Sequence, residues 1–174
     1  MQEEVDEEVD NLVRHYELMP HPEGGFFKET YRAATTVNIK NDQGVVIERS
    51  ASTAIIFLIT KSNVSRLHRI RSDEGWHYYS GSPLTVVELD PETKKVKLTK
   101  IGPNLSQGEK VQYIVPAGVW FGSYTDGDFS LVGCTVAPGF IFEDFELASK
   151  ELLLSEFSSD ESTQHMIEKL CKGL

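Results

Sequence analysis

Two textures alternate along the chain. Residues 4–17 place Val5, Val9, Leu12, Val13 and Tyr16 at spacings of three and four, which predicts an amphipathic helix with one apolar face. The cluster Pro20, Pro22, Gly24 and Gly25 ends that period and opens a turn. From Phe26 to Ala137, short runs rich in Val, Ile, Thr and aromatic residues follow one another. The turn signals between them are Asn41-Asp42-Gln43-Gly44, Lys61-Ser62-Asn63, Gly81-Ser82-Pro83, Asp90-Pro91-Glu92, Gly102-Pro103-Asn104, Pro116-Ala117-Gly118 and Asp126-Gly127-Asp128. Many short strands without helices between them predict a sandwich or barrel rather than a parallel sheet. After Pro138-Gly139 the helical period returns, first over Phe145 to Phe157, then from an Asp160 cap to Leu170 with Gly173 beyond its end. There is no internal repeat and no linker. The 174 residues therefore read as one domain, with a barrel over about 26–140, an N-terminal helix over about 4–17 and C-terminal helices over about 145–171.

Composition narrows the class. The strongest apolar run, Ala54 to Ile59, is strand-sized and far from the roughly 20 residues a bilayer span requires. Cys134 and Cys171 are the only cysteines and lie far apart, which argues against a disulfide framework or a cysteine-rich zinc site. The acidic N-terminus carries neither a basic leader nor an apolar signal core, so the expected location is cytoplasmic. The net charge of −10 belongs to the two ends, and residues 11–142 are close to neutral. Without a basic stripe, nucleic acid is excluded as a partner. A small sugar-like or anionic molecule remains.

Ser65 to Gly81 carries the chemistry. On a strand, alternate residues share a face, so Arg66, His68 and Ile70 point one way and Arg69 and Arg71 the other. Apolar Ile70 marks the first face as interior. A buried imidazole and guanidinium need partners, and Glu74 is the nearest. Histidine with a carboxylate supports general acid–base work near neutrality, and arginine offers a bidentate donor to an anion. A purely structural pair would satisfy the same pattern. With Glu74 inward, Trp76 and Tyr78 share its face and His77 points outward unless a bulge reverses it. Trp76, Trp120 and Phe121 could stack on a ligand ring, and Gln112 and Ser123 could hydrogen-bond it, although aromatic residues in barrel strands also serve as core. His15, His21 and His165 have no evident partner and read as surface residues, and Cys134 as a small buried strand residue.

His68-x-Ile70-x-x-x-Glu74, followed by Gly81, resembles the first cupin motif, with Ile70 where the second histidine stands. Pro116-x-Gly118-x-x-Phe121 resembles the second, with Phe121 in place of its histidine, and Phe121 and Ser123 fall on that histidine's face. The phrases His21-Pro22-Glu23-Gly24-Gly25, Glu29-Thr30-Tyr31-Arg32, Ser65 to Gly81, Val115 to Gly122 and Ser130 to Leu147 are similar to the cupin-5 branch, a domain-of-unknown-function family, over roughly residues 10–150. The resemblance implies an all-β cupin double-stranded β-helix, a jelly-roll barrel with an N-terminal helix and C-terminal helices, and a pocket inside the barrel. Metal cupins bind their ion with three histidines and a glutamate. Only His68 and Glu74 match, so no cofactor is expected, and a metal would have to recruit His77.

Arg66-Leu67-His68 also resembles the Arg-Gly-Leu-His of the metal-free nucleotide-sugar epimerases of the deoxyhexose pathway. In that family the histidine removes a proton next to a carbonyl and a tyrosine returns one on the other face. Carried over, His68 is the base, Arg66 contacts an anionic substrate, Glu74 orients the imidazole and Tyr78 is the donor. The implied function is a small-molecule-binding cupin acting as a metal-independent sugar or nucleotide-sugar isomerase or epimerase. The alternative is a non-catalytic ligand-binding cupin, and Ile70 and Phe121 disfavour a metal-dependent oxygenase. The resemblance further implies a homodimer joined through barrel edges.

Overall fold

The computed structural model describes residues 2–40, 44–157 and 160–172. After helix α1 (Gln2–His15) come β1 (Met19–Pro20), β2 (Phe26–Arg32), β3 (Thr36–Lys40), β4 (Val46–Ser50), β5 (Thr53–Thr60), β6 (Ser65–Arg69) and β7 (Asp73–Gly81). They are followed by β8 (Leu84–Leu89), β9 (Val96–Ile101), β10 (Gln112–Val115), β11 (Trp120–Thr125), β12 (Phe129–Ala137) and β13 (Glu146–Leu147), then by α2 (Lys150–Phe157) and α3 (Glu161–Leu170). One sheet runs β1-β2-β5-β12-β7-β10 and the other β13-β6-β11-β8-β9, while β3 and β4 form a separate ribbon. All the named pairs are antiparallel. These two sheets with their non-sequential strand order make the jelly-roll barrel.

Side-chain alternation divides the apolar residues among three layers. Phe57, Ile59, Val86, Val132 and Val136 meet inside the barrel. Val87 and Leu89 leave the opposite face of β8 and pack with Leu153, Phe157, Ile167 and Leu170 of α2 and α3. That is why β8 is buried at every position, where each large aliphatic side chain contributes about 2 kcal/mol. On the outer face of the other sheet, Leu58, Phe129 and Leu131 receive Val5, Val9, Leu12, Val13 and Tyr16, the stripe predicted from spacing alone.

The element boundaries depart from the periodic reading in two places. Helix α1 ends at His15, and Glu17 has a left-handed φ of 52°. The helix expected from Phe145 starts only at Lys150, because Glu146 and Leu147 pair with Arg69 and His68 at the edge of β6. That edge needs backbone partners, and helical periodicity cannot register the need. The expected cap is present, with the Asp160 carboxylate accepting from the Thr163 amide at 2.8 Å. The Asn41-Asp42-Gln43 turn and Gly173 lie outside the described residues. Among those described, no helix is long and apolar enough to cross a membrane.

Candidate functional site

The site starts from a five-residue turn. His21 N–H donates to the Gly25 carbonyl at 3.0 Å, and Gly24 N–H to the His21 carbonyl at 2.9 Å. Gly24 has φ +109°, and a Cβ there would lie 2.1 Å from the Val64 carbonyl oxygen, so only glycine allows this close approach. The turn is also tied to the start of β6. The Arg66 amide donates to the Glu23 carbonyl at 2.9 Å, and its guanidinium donates to the carbonyls of Glu23 and Pro22. The effect is to drive the Glu23 side chain into the barrel, where it is 6% exposed. Gly24→Ala is therefore expected to cost about 2 kcal/mol or more in urea unfolding. Wild-type stability in that variant would mean that the turn is not held as described.

β6 bends to meet Glu23. Phe121 of β11 pairs with His68 and Ser123 with Ser65, so Arg66 and Leu67 together face one residue across the ladder. This bulge lets residues three apart share a side. Ser65 Oγ donates to Glu23 Oε1 at 2.7 Å. His68 Nε2 lies 3.3 Å from Glu23 Oε2, and His21 Nδ1 lies 3.4 Å from the same oxygen.

The hydrogen bonds place the protons. His68 Nδ1 contacts the Arg66 carbonyl at 2.7 Å. A carbonyl only accepts, so Nδ1 carries hydrogen and Nε2 is the basic atom of the neutral ring. Glu23 N–H donates to His21 Nδ1 at 3.2 Å, which makes that nitrogen an acceptor too. Glu23 Oε2 thus lies between two ring lone pairs, and one proton on the Glu23–His68 axis removes the repulsion. Burial acts in the same sense. Desolvation raises the Glu23 pKa, lowers that of His68 to about 4, and lowers that of His21.

Glu74 approaches from the facing sheet. Desolvation, then the nearby Glu23, push its pKa up to about 8, with the adjacent Cys134 thiol acting in the opposite direction. It is thus a neutral carboxylic acid at pH 7. His21, Glu23, His68, Glu74 and Cys134 all line one cavity of about 90 Å³, whose remaining wall is largely apolar, with Phe27, Phe57, Phe140, Phe142 and Phe145 in it. His21 stands edge-on to Phe27 at 4.5 Å, and Phe145 is 5.2 Å from the His68 ring. Arg32, also in the lining, is held by both oxygens of Glu29, at 2.8 and 2.7 Å, and by the Phe140 carbonyl.

Of the residues singled out from sequence, His68, Glu74 and Ile70 line this cavity. Several others do not. Glu23, not Glu74, is the carboxylate beside His68. The bulge takes Arg66 out of the alternation and makes it the clamp of the turn. Tyr78 donates its hydroxyl to the Gly81 carbonyl at 2.7 Å, away from the cavity. Trp76 is fully buried core, edge-on to Phe57 and Phe121. Trp120 lies in the outer cluster under the C-terminal helices, with the Arg69 guanidinium 4.4 Å from its ring centroid. His77 points outward, as alternation predicted, and contacts Thr135 Oγ1 at 2.8 Å and Gln112 at 3.3 Å. Ser123 is buried in the barrel, and its Oγ has no hydrogen-bond partner. His15 and His165 are exposed. His21, a surface residue by the sequence pattern, has a side chain that is 7% exposed and belongs to the site.

The metal of the metal cupins does not fit these residues. Ile70 offers only alkyl carbon, and the Phe121 ring sits 4.2 Å from the His68 ring in the place of a ligand. His77 is on the wrong face. Among the described residues, no group of three or more His, Cys, Asp or Glu is arranged to hold an ion.

Residues 10–148 match the family Cupin_5, described as Cupin superfamily (DUF985). The uncharacterized protein YML079W of Saccharomyces cerevisiae is 30% identical over 149 residues, covering 78% of this chain and 73% of that one. A hypothetical protein from Leishmania major superposes with a TM-score of 0.82 at 32% identity, covering 95% of this chain and 99% of its own. Protein SO0799 from Shewanella oneidensis gives 0.82 at 36% identity, covering 95% and 98%.

Proposed function

Since the chain belongs to the Cupin_5 family of the cupin superfamily, we propose that its barrel binds a small molecule and moves a proton at a carbon next to a carbonyl, as a metal-independent sugar isomerase or epimerase does. The observation that carries this reading is the contact of His68 Nε2 with Glu23 Oε2 at 3.3 Å, in a cavity that Glu74 also lines.

At rest the Glu23–His68 pair shares one proton. When substrate displaces the Glu23 carboxyl from Nε2, the substrate's C–H proton passes to that nitrogen, so that the imidazolium and the Glu23 carboxyl each carry one. Glu74 gives its proton to the carbon's other face in an epimerisation. In an isomerisation it protonates the carbonyl oxygen, and the enediol intermediate then takes the His68 proton on its neighbouring carbon as its other hydroxyl returns a proton to Glu74. The pair thus becomes cationic as Glu74 becomes anionic, and the cavity keeps zero net charge throughout. In an interior of low dielectric, that balance avoids the large cost of an isolated charge. Glu74 replaces Tyr78 as donor, and Glu23 replaces Glu74 as the partner of the imidazole. The aromatic wall also supports a second reading, binding without conversion.

Incubation in D₂O with a panel of sugars, sugar phosphates and nucleotide sugars, followed by proton NMR, tests the choice. Deuterium entering beside the carbonyl of a panel member is the expected result. Saturable binding across the panel with no deuterium incorporated would leave the binding module.

A further inference from the structure

The rim of the cavity holds a polar pair that the proton transfer does not use. Glu29 and Arg32 of β2 both line the cavity. Residues three apart on a regular strand point to opposite faces. Here Glu29 pairs with Ile55 and Tyr31 with Ala54, so Thr30 is an extra residue in the β2–β5 ladder. This bulge, the counterpart of the one in β6, turns Arg32 to the side of Glu29. The two side chains, Arg32 and Glu29, are 42% and 38% exposed, and an ion pair so open to solvent adds little to stability. Stability alone therefore does not account for the bulge.

The pair's hydrogen bonds leave capacity on both partners. Of the five N–H donors of a guanidinium, Arg32 Nε and Nη2 use three, on the two oxygens of Glu29 and on the Phe140 carbonyl at 3.1 Å. The donors of Nη1 have no partner among the described residues. A carboxylate has about four lone-pair positions, and Arg32 engages one on each Glu29 oxygen. Donor and acceptor thus stand side by side, the complement of adjacent hydroxyl groups. The pair is also electrically balanced. Arg32 is the only arginine or lysine in the described lining, and Glu29 compensates it at 2.7 Å. An anion entering here would find no unpaired cation and would face the carboxyl groups of Glu29, Glu23 and Glu74.

We propose that Glu29 and Arg32 form a hydroxyl-binding subsite, and that the substrate is an uncharged sugar whose carbonyl end enters the cavity. Arg32 Nη1 donates to one hydroxyl, and a Glu29 oxygen accepts from its neighbour. The apolar C–H faces of the sugar lie on the phenyl rings of the wall. This subsite deepens the reading of the cavity as the place of proton transfer and rests on it. Size agrees with the division of the substrate between cavity and rim. The cavity, at about 90 Å³, is well below the roughly 300–1,000 Å³ of ligand sites, so the hydroxyl-bearing end stays at the rim. The balanced charge excludes phosphate, nucleotide and carboxylate groups from the substrate.

Isothermal titration of the full chain with glucose, mannose and fructose, their 6-phosphates and glucuronate provides the test. At least one uncharged hexose is expected to bind saturably, and its 6-phosphate about tenfold more weakly. Arg32→Gln and Arg32→Lys are each expected to weaken hexose binding about tenfold. Lysine keeps a cation beside Glu29 but lacks the planar fork. Wild-type affinity in Arg32→Lys would therefore reduce Arg32 to a structural charge and overturn the subsite. Glu29→Gln leaves Arg32 uncompensated, and the preference is expected to move several-fold towards the 6-phosphate. Tighter binding of a 6-phosphate or of glucuronate than of its parent hexose by wild type would overturn the proposal, as would no saturable hexose binding. Arginine-dependent hexose binding with no deuterium entering any sugar would keep the subsite and remove the proton transfer. Deuterium exchange into a hexose at the wild-type rate in Arg32→Gln would keep the proton transfer and remove the subsite.

Discussion

His68→Gln is expected to slow deuterium incorporation into the substrate by about 10²- to 10⁴-fold, the usual contribution of a positioned general acid or base. A glutamine amide can still donate to the Arg66 carbonyl that His68 Nδ1 contacts at 2.7 Å. It has no basic nitrogen to receive a proton from carbon. Packing against Phe121 and Phe145 is reduced, so a stability loss of about 1–2 kcal/mol is expected in urea, with the fold retained. Incorporation at the wild-type rate by the folded variant would exclude His68 as the base. The wild-type rate should also trace a bell with pH. Its acid limb lies near 4, where His68 protonates, and its alkaline limb near 8, where Glu74 loses the proton it must donate.

Folding stability should be nearly level from about pH 4.5 to 6.5 and then fall towards pH 8. The Glu74 pKa rises from 4.5 unfolded to about 8 folded. Its contribution is therefore complete below 4.5 and is lost as pH rises, by ~1 kcal/mol per pH unit, because the unfolded chain gives up a proton the folded one keeps. The His68 pKa falls from 6.5 unfolded to about 4 folded. Its contribution is complete above 6.5 and is lost as pH falls. From 4.5 to 6.5 the two slopes oppose one another, and above 6.5 only the Glu74 loss remains. Glu23 acts in the sense of Glu74, and His21 in the sense of His68. Glu74→Gln cannot ionise, so the alkaline decline should shrink and the variant should exceed wild type at pH 8 by about 3–4 kcal/mol. Urea midpoints at pH 5, 6.5 and 8 measure both curves. Equal alkaline slopes would show that Glu74 does not hold its proton in the folded state.

Both predictions concern groups whose partners lie far away in the chain, and this is where the residue pattern stops being informative. Alternation correctly placed Ile70 and His68 towards the interior and His77 outward, because strand geometry alone decides those directions. It misplaced Arg66, because the bulge opposite Gly122 is a property of the β6–β11 pair and neither strand reveals it alone. Glu23 enters the sequence reading only within a family-like phrase, and His21 reads there as a surface residue. A carboxylate set in a turn with two following glycines is a local sign of close backbone approach. That the approach is to Val64 and brings Glu23 to His68 depends on where the turn docks.

Trp120 illustrates the same division. Its aromatic character fits a ligand platform, yet α2 and α3 cover the outer face of β11 and make it core. The sequence by itself determined the all-β class, the apolar stripe of α1 and the inward direction of His68. Those features follow from periodicity and residue chemistry within a few positions. Tertiary structure alone decided that Glu23, rather than Glu74, lies beside His68, that burial raises the Glu74 pKa, and that Arg49 and Arg71 share Asp144. Each of these depends on desolvation and charge at distances of 3 to 4 Å between segments tens of residues apart, and only packing of the whole chain creates those distances.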